Sequence, residues 1–114
     1  MRGTFTVCLA QLNPTVGAIS ANAAKIADAY EQGRTAGADL VVTTELALSG
    51  YPPEDLVRRP AFLARIDTAL NDLAKLTKGG PALIVGAPRA RAGDGIRGSA
   101  NVAVVLEHGR IVAE

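Results

Sequence analysis

A single carboxylate at the end of an apolar run is the first candidate for chemistry in this sequence. Glu45 directly follows Leu40–Thr44, a run that is apolar at first and polar at its end. Ligand sites in α/β sheets gather at the carboxyl ends of strands, and burying a carboxylate is costly unless it is paired or hydrogen-bonded. Glu45 is therefore either a functional acid or base, or a strand-end residue that faces solvent or caps a nearby N–H.

Nucleophiles and metal ligands are scarce in this chain. It has one cysteine and one histidine, which excludes an intrachain disulfide framework, a thiolate cluster and a closed zinc site. Cys8 lies between Val7 and Leu9 and is predicted to be a buried small hydrophobe rather than a nucleophile. His108 is predicted to be an exposed turn residue. The glycine-containing segment 91–97 is not followed by a helix, so it does not fit a phosphate-binding loop.

The elements that would position Glu45 alternate between strands and helices. Apolar and β-branched runs predict strands, and apolar residues at helical spacing predict helices. Ser20 or Asn22 is expected to cap the first helix, and Gly37 to follow its end in the left-handed conformation. The predicted strands are 4–12, 40–44, 82–87, 101–106 and 111–113, and the predicted helices extend from the cap to about residue 36 and from 60 to 76.

Three connecting segments carry specific expectations. Arg89–Ser99 is rich in glycine and charge and predicts a mobile loop. Glu107–Arg110 predicts a tight hairpin turn in which Gly109 supplies a positive φ. Glu54 and Asp55 are predicted to be acids at a helix start, where the helix dipole favours them, rather than catalytic groups.

The element order β-α-β-α-β-β-β predicts an α/β fold. Strands joined by helices favour parallel pairing with the helices on one face, whereas the last hairpin must pair antiparallel. The expected result is a mixed sheet with two main helices on one face and an apolar, uncovered opposite face. The chain also stops within a predicted strand, so we expect more protein or a partner to complete the structure.

Composition indicates a soluble protein, with the cytoplasm as the expected location. Hydrophobic residues make up 48% of the chain, and the formal net charge is +1. Lysines and arginines are scattered along the sequence, unlike the basic patch of a nucleic-acid binder. The apolar runs are too short to span a membrane, and the N-terminus lacks the pattern of a signal peptide. We therefore expect neither nucleic-acid nor membrane partners.

Several segments, in order along the whole chain, resemble the carbon–nitrogen hydrolase (nitrilase-like) superfamily. The segment Thr44–Leu56, which contains Glu45, resembles the glutamate motif of that superfamily. With its continuation through Arg59–Leu63, it is most similar to the N-terminal glutaminase domain of the glutamine-dependent NAD synthetases. This resemblance implies an incomplete α-β-β-α sandwich. The other matching segments are Ala10–Gly17, Asn22–Ile26, Ile84–Pro88 and Asn101–Val105.

The resemblance implies a catalytic set of one Glu, one Lys and one Cys. Glu45 would be the general base that activates the cysteine, whose thiolate attacks the amide carbonyl, and the lysine would stabilise the oxyanion. Lys25, Lys75 and Lys78 are all predicted to lie on the helices, away from the position of the family's lysine. The catalytic lysine is therefore expected just beyond Glu114, and the cysteine considerably later.

The resemblance also implies a biological role. Residues 1–114 would form the N-terminal part of a domain that hydrolyses glutamine and supplies ammonia for the ATP-dependent conversion of deamido-NAD to NAD. ATP and Mg would then belong to a separate C-terminal synthetase domain, with no cofactor in this chain. Tyr51, on the loop after Glu45, is expected either to line the substrate pocket or to be a packing residue. The protein is expected to form a homo-oligomer.

Two alternatives to this role remain open at the level of sequence. The chain could belong to another nitrilase-like enzyme that acts on a different amide or nitrile. It could also be a non-catalytic α/β module that binds a partner through its open sheet. By itself, the chain is expected to be inactive, because it lacks a lysine and a cysteine at the required places.

Overall fold

The computed structural model describes residues 3–93 and 96–114. It contains the predicted alternation of strands and helices, with one additional short 3-10 helix before the second α-helix. Among the described residues, no helix is both long and apolar enough to cross a membrane. The elements are β1 Val7–Ala10, α1 Ile19–Thr35, β2 Leu40–Thr43, the 3-10 helix Glu54–Arg58, α2 Pro60–Lys75, β3 Ala82–Gly93, β4 Ile96–Glu107 and β5 Arg110–Ala113.

The strands form one mixed sheet in the order β1-β2-β3-β4-β5. The first three strands are parallel, and β4 and β5 continue the sheet by antiparallel pairing. The predicted fold class is thereby confirmed. Helical crossovers return the chain to a parallel neighbour, whereas short connections can only reverse it. Val41 is aligned with Cys8 on one side and Leu83 on the other, so these three residues share a face of the sheet.

Both helices cover that face. Val41, Leu83 and Leu106 are fully buried beneath them. Ile26 and Tyr30 from α1, and Ile66 and Leu70 from α2, close the core from the other side. Most of the apolar residues predicted at helical spacing are buried here, although Leu76 is exposed after the end of α2. Each large apolar side chain buried in this way stabilises the fold by about 1.5–3 kcal/mol. The opposite face remains open.

The start of α1 differs from the prediction. The residue at its N-cap is Ala18, which makes no side-chain capping bond. Ser20 and Asn22 both lie inside the helix, and Asn22 is 1% exposed. The capping prediction was wrong because the amide of Asn22 is used for tertiary hydrogen bonds instead. The end of α1 follows the prediction, with Gly37 at φ +84 after the C-cap.

The segment Arg89–Ser99 is not the predicted loop. β3 runs to Gly93 and β4 begins at Ile96, so most of the segment is paired in the sheet; residues 94 and 95 lie outside the described part of the chain. Backbone pairing satisfies N–H and C=O groups whatever the side chains are. The glycine-rich, charged composition of the segment was therefore not sufficient to predict a loop.

Arg89 and Arg91 of this segment form ion pairs. Arg89 contacts Asp67 on α2 at 3.2 Å and Glu114 at 3.0 Å, and Arg91 also hydrogen-bonds Glu114. The hydrogen bond from Arg91 holds the pKa of the Glu114 carboxyl below its usual range, and the charges of Arg91 and Arg89 act in the same direction. These contacts tie the long β3–β4 hairpin to α2 and to the residue after β5.

The final hairpin is confirmed. His108 and Gly109 have φ values of 56 and 83, the pair of positive angles that a two-residue hairpin turn requires. The side chain of His108 is exposed, as predicted. The backbone N–H of Gly109 donates to Thr77 Oγ1 at 3.0 Å, which attaches the hairpin to the turn after α2. Lys78 lies in that turn rather than on a helix, which corrects its predicted placement.

Candidate active site

Glu45 lies at the carboxyl end of β2, on the exposed side of an otherwise buried turn. β2 ends at Thr43, and the turn that follows starts at Glu45. The side chain of Glu45 is exposed, whereas the next residues of the turn, from Leu46 to Ser49, are buried. The buried residues thus anchor the turn in the core, and the carboxylate of Glu45 lies on its outer side.

The backbone of this turn is held by neighbouring elements. Leu46 has φ 51, a left-handed conformation that costs a residue other than glycine about 1 kcal/mol or more. The N–H of Leu48 donates to the carbonyl of Gly86 at 3.1 Å, and the N–H of Gly86 donates to Thr43 Oγ1 at 3.1 Å. These bonds join the turn to β3 and maintain the strained conformation next to Glu45.

Gly86 allows the turn to cross directly over β3. A Cβ atom at this position would lie 2.3 Å from the carbonyl oxygen of Thr44 and 2.6 Å from the nitrogen of Leu46. Both neighbours are backbone atoms, so neither can move aside without shifting the turn. Glycine is therefore required here for close approach of two backbone segments.

Asn22 supports the same turn from the helix side. Its Nδ2 donates to the carbonyls of Thr15 at 2.8 Å and Leu48 at 3.0 Å, and its Oδ1 accepts from the N–H of Thr15 at 2.8 Å. The N–H of Gly17 also donates to the carbonyl of Ser49 at 2.9 Å. A buried amide thereby connects α1, the loop before it and the Glu45 turn.

The carboxylate of Glu45 accepts a hydrogen bond from Asn101 on β4. The distance from Asn101 Nδ2 to Glu45 Oε1 is 2.8 Å. A cavity of about 230 Å³ lies beside this pair on the open face of the sheet. Cys8 belongs to the helix-covered face, where it is partly buried and packs against the core. The residues that line the cavity are Val42, Thr43, Thr44, Glu45, Ile84, Gly86, Asn101, Val102 and Ala103.

Tyr51 is not among the residues that line this cavity. It is 67% exposed and lies between the Glu45 turn and the 3-10 helix. Its assignment to a substrate pocket stays a prediction. Glu54 and Asp55 are exposed in the first turn of the 3-10 helix, as expected of acids at a helix start.

The arrangement provides one component of acid–base chemistry. A carboxylate with one oxygen held by a neutral donor can accept a proton at its other oxygen. Among the residues that the structure describes, no lysine or cysteine lines the cavity. Within residues 3–93 and 96–114, no group of three His, Cys, Asp or Glu side chains lies close enough together to hold a metal ion.

Comparison with known proteins assigns the chain to a family. The model of the carbon-nitrogen hydrolase family matches residues 6–114. The chain belongs to this family. The glutamine-dependent NAD(+) synthetase from Rhodobacter capsulatus is 47% identical to this chain over 113 residues, and that from Synechocystis sp. is 46% identical over 110 residues. These matches cover 99% and 94% of the chain but 20% of each relative, so the chain spans about one fifth of their length.

Solved structures of a synthetase and an amidase share the fold. The glutamine-dependent NAD+ synthetase from Acinetobacter baumannii, in complex with adenosine diphosphate, aligns with a TM-score of 0.83 at 33% identity. An amidase from Nesterenkonia sp. aligns with a TM-score of 0.76 at 26% identity. The two alignments cover 96% and 99% of this chain, and 20% and 43% of the respective neighbours.

The sequence did not predict the supporting roles of Asn101, Gly86 and Asn22. Asn101 begins the run Asn101–Leu106 that was predicted as a strand. Its polar side chain at the start of an apolar run was the feature that could have indicated a role in the site. Gly86 interrupts an apolar strand, and such a glycine often marks close backbone approach. Asn22 was noted, but as a helix cap.

Proposed function

We propose that this chain forms the Glu45-bearing part of a glutamine amidohydrolase. The observation that carries the proposal is the carboxylate itself, held by Asn101 beside a cavity, in a chain of the carbon-nitrogen hydrolase family. The high identity to glutamine-dependent NAD(+) synthetases favours glutamine over other amides. Glu45 is the general base in this proposal.

The chemistry requires two further groups from outside these residues. Glu45 accepts the proton of a cysteine thiol, and the resulting thiolate attacks the side-chain amide of glutamine. A lysine ammonium stabilises the oxyanion that forms. Glu45 returns the proton to the departing nitrogen as this intermediate collapses, which gives an acyl-enzyme and ammonia. Water then hydrolyses the acyl-enzyme to glutamate and the free thiol. We place both groups after Glu114, since the described residues that line the Glu45 cavity include no lysine or cysteine.

In the complete protein, the ammonia would serve a synthetase domain. That domain would convert deamido-NAD to NAD with ATP and Mg, and residues 1–114 would bind neither. This part of the proposal is supported by the similarity to enzymes that bear the name glutamine-dependent NAD(+) synthetase. A cytoplasmic location and a homo-oligomeric state complete it.

A second candidate is the hydrolysis of a different amide. The similarity to the Nesterenkonia amidase favours it, because that alignment covers 99% of the chain. The two candidates share the role of Glu45 and differ only in the substrate. Comparing ammonia release from glutamine with release from short aliphatic amides separates them.

The proposal is tested by Glu45→Gln in the protein expressed from its complete reading frame. Glutamine keeps the size of glutamate but cannot accept the proton, so ammonia release from glutamine should fall roughly 10²- to 10⁴-fold. Glu31→Gln is the matched control, since Glu31 lies on α1 and pairs with Arg34. Normal turnover by Glu45→Gln would overturn the general-base role.

A further inference from the structure

The hydrogen bond between Asn101 and Glu45 joins two residues 56 positions apart in sequence. A carboxylate can only accept hydrogen bonds, so the amide must present its NH₂ group to Glu45. We propose that Asn101 is a positioning residue, which orients the Glu45 carboxylate for proton transfer. This inference rests on the general-base role proposed above for Glu45.

The sheet fixes the distance between the two residues. Asn101 is aligned with Pro88 across the β3–β4 ladder. The Glu45 turn is bonded to Gly86, two residues earlier on the same strand β3. Asn101 and the Glu45 turn are therefore both attached to β3, so the distance between the two side chains does not depend on the conformation of a free loop. Sites that are built on regular elements hold their geometry more closely than sites on loops.

An amide suits this position better than a charged donor. Lysine or arginine would pair with the carboxylate and favour its ionised form, which weakens it as a proton acceptor. The amide of Asn101 is neutral and does not titrate in the working range of an enzyme. Its single hydrogen bond engages Oε1 of Glu45, and the second carboxylate oxygen keeps its lone pairs for the proton.

Loss of this bond should affect turnover rather than substrate affinity. The Glu45 side chain is exposed on the turn, so without a partner its carboxylate can occupy several rotamers. Proton transfer needs the base within hydrogen-bond reach of the donor, and only a fraction of these rotamers provides that geometry. Binding of the amide substrate does not require the proton to move.

Two substitutions in the protein expressed from its complete reading frame test this role. Asn101→Ala removes the hydrogen-bond donor. Asn101→Asp also removes the donor, but it keeps the size of the side chain and places a second carboxylate against Glu45. Ammonia release from glutamine should show kcat reduced roughly 10- to 100-fold for Asn101→Ala, and at least as much for Asn101→Asp. KM should stay within about twofold, since the lost bond orients the base for proton transfer and substrate binding does not require that transfer.

The controls separate positioning from folding. Asn71→Ala is the matched control, because Asn71 is exposed on α2 and bonds the carbonyl of Asp67 in its own helix. The unfolding midpoint of Asn101→Ala should stay close to that of the unsubstituted protein. Asn101→Ala should also cause no further loss when it is added to Glu45→Gln, because residues that act as a unit are not additive.

Each outcome has one meaning. Reduced kcat with unchanged KM and unchanged unfolding midpoint, for both substitutions, supports the positioning role. If Glu45→Gln is inactive but either Asn101 variant keeps the normal kcat, the inference is overturned and the function of Glu45 stands. Loss of kcat in proportion to a lowered unfolding midpoint also overturns it. If Glu45→Gln itself is fully active, the proposed function fails, and the role of Asn101 fails with it.

Discussion

At the scale of single residues, the placement of Glu45 depends on the absence of a side chain at Gly86. The Glu45 turn crosses β3 so closely that a Cβ at Gly86 would overlap the backbone of Thr44 and Leu46. Leu46 is also held in a left-handed conformation. The carbonyl of Gly86 accepts a hydrogen bond from the N–H of Leu48, and the N–H of Gly86 donates to Thr43 Oγ1. A small residue in the strand is therefore a condition for the geometry of the carboxylate.

Gly86→Ala should displace the turn and destabilise the protein. Overlap with backbone atoms cannot be relieved by a rotamer change, so we expect a loss of about 1–3 kcal/mol in the free energy of unfolding, together with reduced ammonia release. Gly98→Ala is the matched control, because a Cβ at Gly98 on β4 meets nothing within 4 Å. Chemical denaturation and glutaminase assays of both variants measure the difference. Equal stability of the two would contradict the close-approach argument.

At the scale of elements, a buried amide connects α1 to the turn that presents Glu45. Asn22 bonds Thr15 before the helix and Leu48 within the turn. Thr15 lies in the loop before α1 and Leu48 in the turn after β2, and the N–H of Gly17 joins the same two segments by donating to the carbonyl of Ser49. The helix thus contributes to the site through one polar side chain, in addition to the apolar residues that cover the sheet.

Asn22→Ala should be much more disruptive than Ser20→Ala. The first substitution leaves the N–H of Thr15 and the carbonyl of Leu48 without their partner, which we expect to cost about 2–4 kcal/mol in the free energy of unfolding. Ser20 makes no capping bond, so its loss should change stability by less than about 0.5 kcal/mol. Thermal or chemical unfolding of the two variants provides the comparison. A larger effect at Ser20 would restore the capping interpretation.

At the scale of the whole molecule, the two faces of the sheet differ in how far their apolar side chains are exposed to solvent. Helices bury Val41, Leu83 and Leu106 on one face. On the other face, Leu9 is 75% exposed and Val7 is 44% exposed, and the Glu45 cavity opens there as well. Exposed apolar areas of this kind usually mark an interaction surface or drive association.

Residues 1–114, produced alone, should self-associate through this face. Burial of apolar side chains between copies removes them from water, so the sedimentation coefficient should rise with protein concentration. Leu9→Lys should weaken the association, whereas Leu76→Lys, at an exposed apolar position after α2, should not. Sedimentation velocity of the three forms is the measurement. A monomer at all concentrations, or equal effects of the two substitutions, would rule out the open face as the cause.

Local patterns in the sequence determined the order of elements, the mixed sheet, the apolar faces of both helices and the position of Glu45 at a strand end. Strand and helix patterns arise between residues that are close in sequence, so they can be recognised without the structure. The capping role of Asn22 and the loop at Arg89–Ser99 were predicted wrongly, since tertiary hydrogen bonds and strand pairing outweighed local preference in both.

The tertiary structure alone decided what surrounds Glu45. Asn101 reaches it only because β4 lies next to β3, and the Glu45 turn crosses β3 at Gly86, where the absence of a side chain permits it. These relations depend on strand register between segments far apart in sequence, and register is set by packing of the whole sheet. The sequence therefore identified the carboxylate, and the fold supplied the residues that hold it.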